Sequence, residues 1–192
     1  MRSARDAARG RGVGVLVGAV IGGVWAAYGA SLSPPWNGFL LAVSVAFTAP
    51  LAAGGIAIIR RARAMPAHSE GKAANRAAWR WFWLNLTAEI VLLNLAALAL
   101  NATGRPAYLI PAISVVVGLH FLPMARFFSV PSYLWTGGAM IAVAAAAAAA
   151  ISGHFAEPSR VVGFEALANA AILWATAAWG WRGAGPRPAP DF

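Results

Sequence analysis

Glu89, His120 and Glu165 are the ionisable side chains that stand inside otherwise apolar stretches of this chain. A charge well within a bilayer costs ~2.5–3.5 kcal/mol on insertion scales, so such a residue faces protein rather than lipid and has a partner. A carboxylate and an imidazole are a pair that can hold a proton or cation and pass it on. Asn85 lies one helical turn before Glu89 on the same face. The spacing predicts that Glu89 and His120 meet in the bundle interior, with Asn85 or Asn94 completing their hydrogen bonds. Two readings stay open at this level: a proton or cation relay, and a buried hydrogen-bonded pair that fixes helix register.

Depth is compatible with the meeting. Glu89 is about eleven residues up from Ala78 and His120 about seven up from Phe127, a difference of ~6 Å at 1.5 Å per residue. A carboxylate side chain and a water span that gap. Thr87, Asn94 and Asn101 recur at seven-residue spacing on roughly the opposite face of the same helix. A helix polar on two sides is expected at the centre of a bundle. Glu165 and Asn169, one turn apart, form a weaker candidate site, and Glu165 is expected ~6–8 Å below the outer surface, close enough to reach water. His154, Glu157 and Arg160 in the preceding loop, and His68 and Glu70 in an earlier basic loop, read as solvated.

Pro123 lies three residues after His120 and cannot donate to the carbonyl of Leu119, so a helix kink or a loosened turn is expected there. The string Gly118-Leu119-His120-Phe121-Leu122-Pro123-Met124-Ala125-Arg126-Phe127 resembles small six-helix bacterial membrane proteins grouped as a domain of unknown function. That resemblance implies no reaction, ligand or cofactor. It adds His120 and Pro123 as positions to test.

The elements that must position these residues are legible from composition. Of 192 residues, 60% are apolar and only 11% charged, where a soluble domain has roughly a quarter charged; the mean hydropathy is +0.65. Six spans of about the ~20 residues that cross a bilayer read as residues 13–30, 36–59, 78–101, 106–127, 132–153 and 161–181. The fold class expected is all-α: a polytopic six-transmembrane-helix bundle with N and C termini cytoplasmic. Residues 1–12 form a basic cytoplasmic N-terminus, and 182–192, with three prolines, a disordered tail. The first span, at least 18 residues long, reads as a retained helix rather than a cleaved signal peptide. Its Gly14, Gly18 and Gly22 repeat at four-residue spacing, a helix-packing ridge. Ala144–Ala150, with Gly137 and Gly138, makes the fifth helix thin for the same purpose. An echo between Glu89/Asn94 and Glu165/Asn169 suggests inverted halves, but the spacing differs by one and leaves a repeat unproven.

Orientation follows from the basic residues. Arg2, Arg5, Arg9, Arg11, Arg60, Arg61, Arg63, Lys72, Arg76, Arg80, Arg126, Arg182 and Arg187 fall on one side and only Arg105 and Arg160 on the other, thirteen against two. Positive loops are retained in the cytoplasm. The net charge of +9 is thereby a lipid-facing and topological signal, and nucleic acid is not the expected partner. Expected partners are the lipid bilayer and a second copy or another membrane subunit. The Arg- and Ala-rich composition suggests a bacterial inner (plasma) membrane.

Absences narrow the chemistry. The chain has no cysteine, which excludes disulfides, thiolate metal sites and cysteine nucleophiles. It has no paired histidines for haem, no H-E-x-x-H, no P-loop, no G-x-S-x-G and no aquaporin-type Asn-Pro-Ala pair. No metal, cofactor or catalytic residue is expected. The leading function classes are a small proton-coupled transporter or channel subunit and a structural or regulatory membrane subunit without transport or catalysis; an intramembrane enzyme ranks last, for want of a recognisable nucleophile or metal set.

Overall fold

A computed structural model describes residues 4–66 and 72–183. His68, Glu70, Arg2, Arg187 and the tail beyond Gly183 lie outside them. The described residues are helical: α1 (Ala4–Ser31), α2 (Asn37–Ala64), α3 (Lys72–Ala102), a 3₁₀ turn (Pro106–Tyr108), α4 (Leu109–Phe128), α5 (Ser132–Ser152) and α6 (Pro158–Arg182). All six α-helices are long and apolar enough to cross a membrane. The expected spans 13–30, 78–101 and 161–181 fall within α1, α3 and α6, whereas the other three overrun their α-helices by one to three residues, at Trp36, at the 3₁₀ turn Pro106–Tyr108 and at Gly153.

The connections are short because the helix ends are built to reverse the chain. α3 closes with Gly104 at φ 67 and the Arg105 amide donating to the Leu100 carbonyl. α4 and α5 close the same way without glycine, through Ser129 (φ 55) and His154 (φ 53), with Val130 donating to Ala125 and Phe155 to Ala150. These are left-handed C-terminal caps, in which an amide beyond the helix takes up a carbonyl that the helix leaves free. α6 opens on Pro158, whose missing N–H costs nothing in a first turn.

The helices pack as two groups. α1 lies against α2 and α6, α4 lies against α3 and α5, and the groups join mainly where α5 meets α6. Small residues permit the close approaches. A Cβ on Gly22 would stand 2.7 Å from Trp174, and one on Gly29 2.8 Å from the Gly163 carbonyl, so α1 and α6 nearly touch backbones. Gly18 packs on Ala177 in the same seam. Gly14 departs from the expected ridge: it faces the Tyr133 hydroxyl of α5 rather than α6. Gly118 and Gly137 make the crossing of α4 and α5, each sitting against the other's carbonyl. The core between these seams is lined by Ala26, Met140, Ala166, Ala170 and Leu173 on one side and Val15, Ala19, Leu51 and Ala177 on the other.

α6 is the central helix. It touches α1, α2, α4 and α5, and buries Glu165, Ala166, Asn169, Ala170, Leu173 and Ala177 at helical spacing. α3 holds the opposite position. Among the described residues, apart from the short turn after it, it packs only on α4, and none of its apolar window is buried. The expectation that α3 occupies the centre is therefore corrected. Its two polar faces differ, one meeting α4 and the other meeting no long helix among the described residues. The packing also fails to repeat between halves, because α5 packs on α6 while α2 and α3 do not pack together.

Candidate functional sites

The half-buried described positions of α3 are Phe82, Asn85, Leu86, Glu89, Leu93, Ala96, Ala97 and Leu100, which recur three or four residues apart along one face, the face of the α3–α4 seam. Two of these positions are polar, and both meet His120. Glu89 Oε2 stands 3.0 Å from His120 Nδ1, with side-chain exposures of 15% and 11% respectively. Asn85 Nδ2 donates to the His120 carbonyl at 2.9 Å and lies 3.0 Å from His120 Nδ1. Phe82 and Phe121 set ring edges against the imidazole. The sequence thus places Glu89, His120 and Asn85 together, at the edge of the molecule rather than in its interior.

Two groups compete for one ring nitrogen. If Nδ1 carries the proton it donates to the Glu89 carboxylate, and the Asn85 amide is held by the His120 carbonyl alone. If Glu89 carries it, the carboxyl O–H donates to Nδ1. A single proton satisfies the pair from either side, so the arrangement can store a proton or hand it between the two residues. Asn94 takes no part. Its amide donates to the Ile90 carbonyl of its own helix, as Asn101 does to Ala97, and both side chains are exposed. Pro123 stands inside α4, which continues as one helix to Phe128.

A second polar cluster sits on the central helix. Glu165 is 3% exposed and Asn169 0%, which corrects the expectation that Glu165 reaches water: α6 begins at Pro158, and α1, α4 and α5 close around this turn. The Asn169 amide donates to Ser114 Oγ of α4 at 2.7 Å, and Ser114 donates to the Ile110 carbonyl. Both Glu165 oxygens and Asn169 Oδ1 are buried without a hydrogen-bond partner among the described residues. Ser114, in a run of aliphatic residues, carries no signal in the sequence that would join it to a residue 55 positions away.

The third feature is a cleft of about 1480 Å³ between the two helix groups. Its walls come from the start of α1 (Asp6, Arg11, Gly14), Trp81 of α3, Phe127 to Tyr133 between α4 and α5, and the end of α6 (Thr176, Trp179, Gly183). All of these lie at one end of the molecule, where the Arg11 guanidinium also donates to the Gly183 carbonyl and ties α1 to α6. Thr176 meets Thr136 of α5, hydroxyl to hydroxyl, at 2.6 Å. The walls combine aromatic rings with a few hydroxyl and charged groups.

His154, Glu157 and Arg160 are exposed, as expected. Among the described residues no group of three His, Asp or Glu could hold a metal ion. Comparison with protein-family models, curated proteins and solved structures returns no match, so the sites are read from their own geometry.

Proposed function

We propose that the protein is a six-span membrane protein of a bacterial plasma membrane, with both termini cytoplasmic, that acts as a small solute transporter or channel subunit, proton-coupled in its action. The observation that carries this reading is the cleft between the two helix groups. It opens at the end that holds the start of α1 and the end of α6, and the thirteen-to-two distribution of basic residues assigns that end to the cytoplasm. The apolar exterior supports insertion: Val17, Val24, Phe39, Phe47, Leu92, Leu98 and Phe164 are all exposed, on a scale that a water-soluble monomer does not present. Trp79, Trp81, Trp83, Trp179 and Trp181 are exposed at the cytoplasmic end and Trp36 at the other, the belt pattern of an interface.

The test uses the absence of native cysteine. Thr176→Cys in the cleft wall is expected to react with a membrane-impermeant thiol reagent from the cytoplasmic face, and a transported solute is expected to protect it. Reaction from the opposite face only would reverse the orientation. Protection by no solute in a panel of ions and metabolites would count against transport.

A specific observation favours the second reading, a structural or regulatory subunit. Among the described residues α4 is the one long helix that α3 packs on, and the other face of α3 carries Thr87, Asn94 and Asn101, all exposed. An amide both donates and accepts, so the same stripe on a second, parallel copy is its complement, residue for residue. On this reading α3 is an assembly helix for a homo-oligomer.

A further inference from the structure

The cluster on the central helix has an excess of acceptors. Glu165 contributes two oxygens and Asn169 one, all three buried and without a hydrogen-bond partner among the described residues. The Asn169 amide is engaged by Ser114, and the Ser114 hydroxyl hydrogen is engaged by the Ile110 carbonyl. Ser114 is the polar neighbour of the Glu165 carboxyl, and its single hydroxyl hydrogen serves either that carboxyl or the Ile110 carbonyl, not both. The remaining surroundings are apolar. Val143, Ala146, Ala147 and Ala150 of α5 and Val161 and Ala168 of α6 line the groove beside Glu165, and α1 presents Gly29 to the turn at Gly163. No Arg, Lys or His forms an ion pair with Glu165 among the described residues, and Arg160, the nearest basic residue in sequence on α6, is exposed.

A buried carboxylate with no counter-charge and at most one shared hydroxyl donor costs several kcal/mol, and the usual remedy is a bound positive charge. One carboxylate balances one charge. A divalent ion would leave a net positive charge in an apolar interior, and Glu157, the nearest other acidic residue in sequence, is exposed. We propose that Glu165, Asn169 and Ser114 form a binding site for a single monovalent cation, a proton or a sodium ion. Both sources meet the same need. A proton on Glu165 supplies the missing donor to the neighbouring oxygens, and a sodium ion accepts lone pairs from carboxylate, amide and hydroxyl oxygens together. The site lies on the helix that touches both helix groups, so its occupancy bears on how those groups sit against each other. Binding does not depend on the protein being a transporter.

The experiment follows thermal unfolding of the purified full chain in detergent, read by tryptophan fluorescence. Sodium chloride is compared with choline chloride at equal ionic strength, and acidic with alkaline buffers in choline alone. The melting midpoint of the native chain is expected to rise with sodium if sodium is the ligand, or with acid in choline if the proton is. Glu165→Gln, neutral and of the same shape, is expected to lose whichever response the native chain shows. Ser114→Ala keeps the carboxylate and removes one oxygen, and is expected to raise the half-saturating sodium concentration about tenfold if sodium is the ligand, or to shift the acid response if the proton is. The contribution of Glu89 and His120 to the pH arm is retained in Glu165→Gln and is thereby subtracted. A native chain whose midpoint ignores both cations, or a folded Glu165→Gln that responds like the native chain, overturns the site. If Glu165→Gln does not fold, isothermal titration of the native chain and of Ser114→Ala with sodium chloride, and with acid in choline, decides it, and unchanged binding in Ser114→Ala overturns the assignment.

Discussion

Glu89 Oε2 lies 3.0 Å from His120 Nδ1, and this pair, with Asn85, is the polar fastening in a seam that alone attaches α3 to the other long helices. Removing one member strands the other in a half-buried apolar seam. Glu89→Gln and His120→Gln are each expected to destabilise the protein by about 1–3 kcal/mol, the penalty of an unsatisfied buried group. The double change is expected to cost less than the sum of the two. Unfolding in mixed micelles measures this. Fully additive costs would show that the two side chains do not act as a pair.

The crossing of α4 and α5 depends on two glycines and is indifferent to a third. A Cβ on Gly137 would stand 2.5 Å from the Gly118 carbonyl, whereas one on Gly138 meets nothing within 4 Å. Gly137→Ala is expected to lower stability by about 1–3 kcal/mol through overpacking. Gly138→Ala is expected to be neutral or to raise stability by up to ~1 kcal/mol through helix propensity. Equal effects from the two changes would mean that the helices do not cross here.

Orientation is separable from mechanism. Pro66→Cys lies at the α2 end of the basic loop and Phe155→Cys in the exposed turn before α6. In intact cells an impermeant thiol reagent is expected to label Phe155→Cys and to reach Pro66→Cys only after permeabilisation. The opposite pattern would invert the protein in the membrane.

The exposed stripe on α3 gives a prediction of its own. Asn94→Leu and Asn101→Leu remove side chains whose amides bond only to their own helix, so the fold of the single chain is expected to persist. Cross-linking between copies in native membranes is expected to fall several-fold if the stripe pairs with itself. Unchanged cross-linking would leave the stripe without the role proposed for it.

The helices were legible in the sequence because hydropathy and loop charge are local properties. Glu89 and His120 were legible as partners because consecutive antiparallel helices pack together, and one-turn spacing placed Asn85 beside them. What the sequence could not convey was which helix is central. α3 looks like a core helix by its polar residues, yet α6, whose pattern of Ala with one Glu and one Asn is less marked, holds that place. Burial in an apolar bundle is decided by which small residues face each other, as Gly29 faces Gly163 and Gly118 faces Gly137, and those pairings are long-range. The same blindness hid Ser114, and placed Glu165 near water when α1, α4 and α5 close around it.

The most direct test of the transport reading is solute flux into proteoliposomes loaded with the purified protein. A panel of ions and small metabolites is offered under an imposed pH or sodium gradient, with empty liposomes and Glu165→Gln as controls. The account predicts gradient-driven uptake of at least one solute by the native chain, reduced by blocking the cleft at Thr176→Cys with a thiol reagent. Absence of flux for every solute under either gradient, from protein shown to be folded and inserted, would contradict it and leave the assembly-subunit reading in its place.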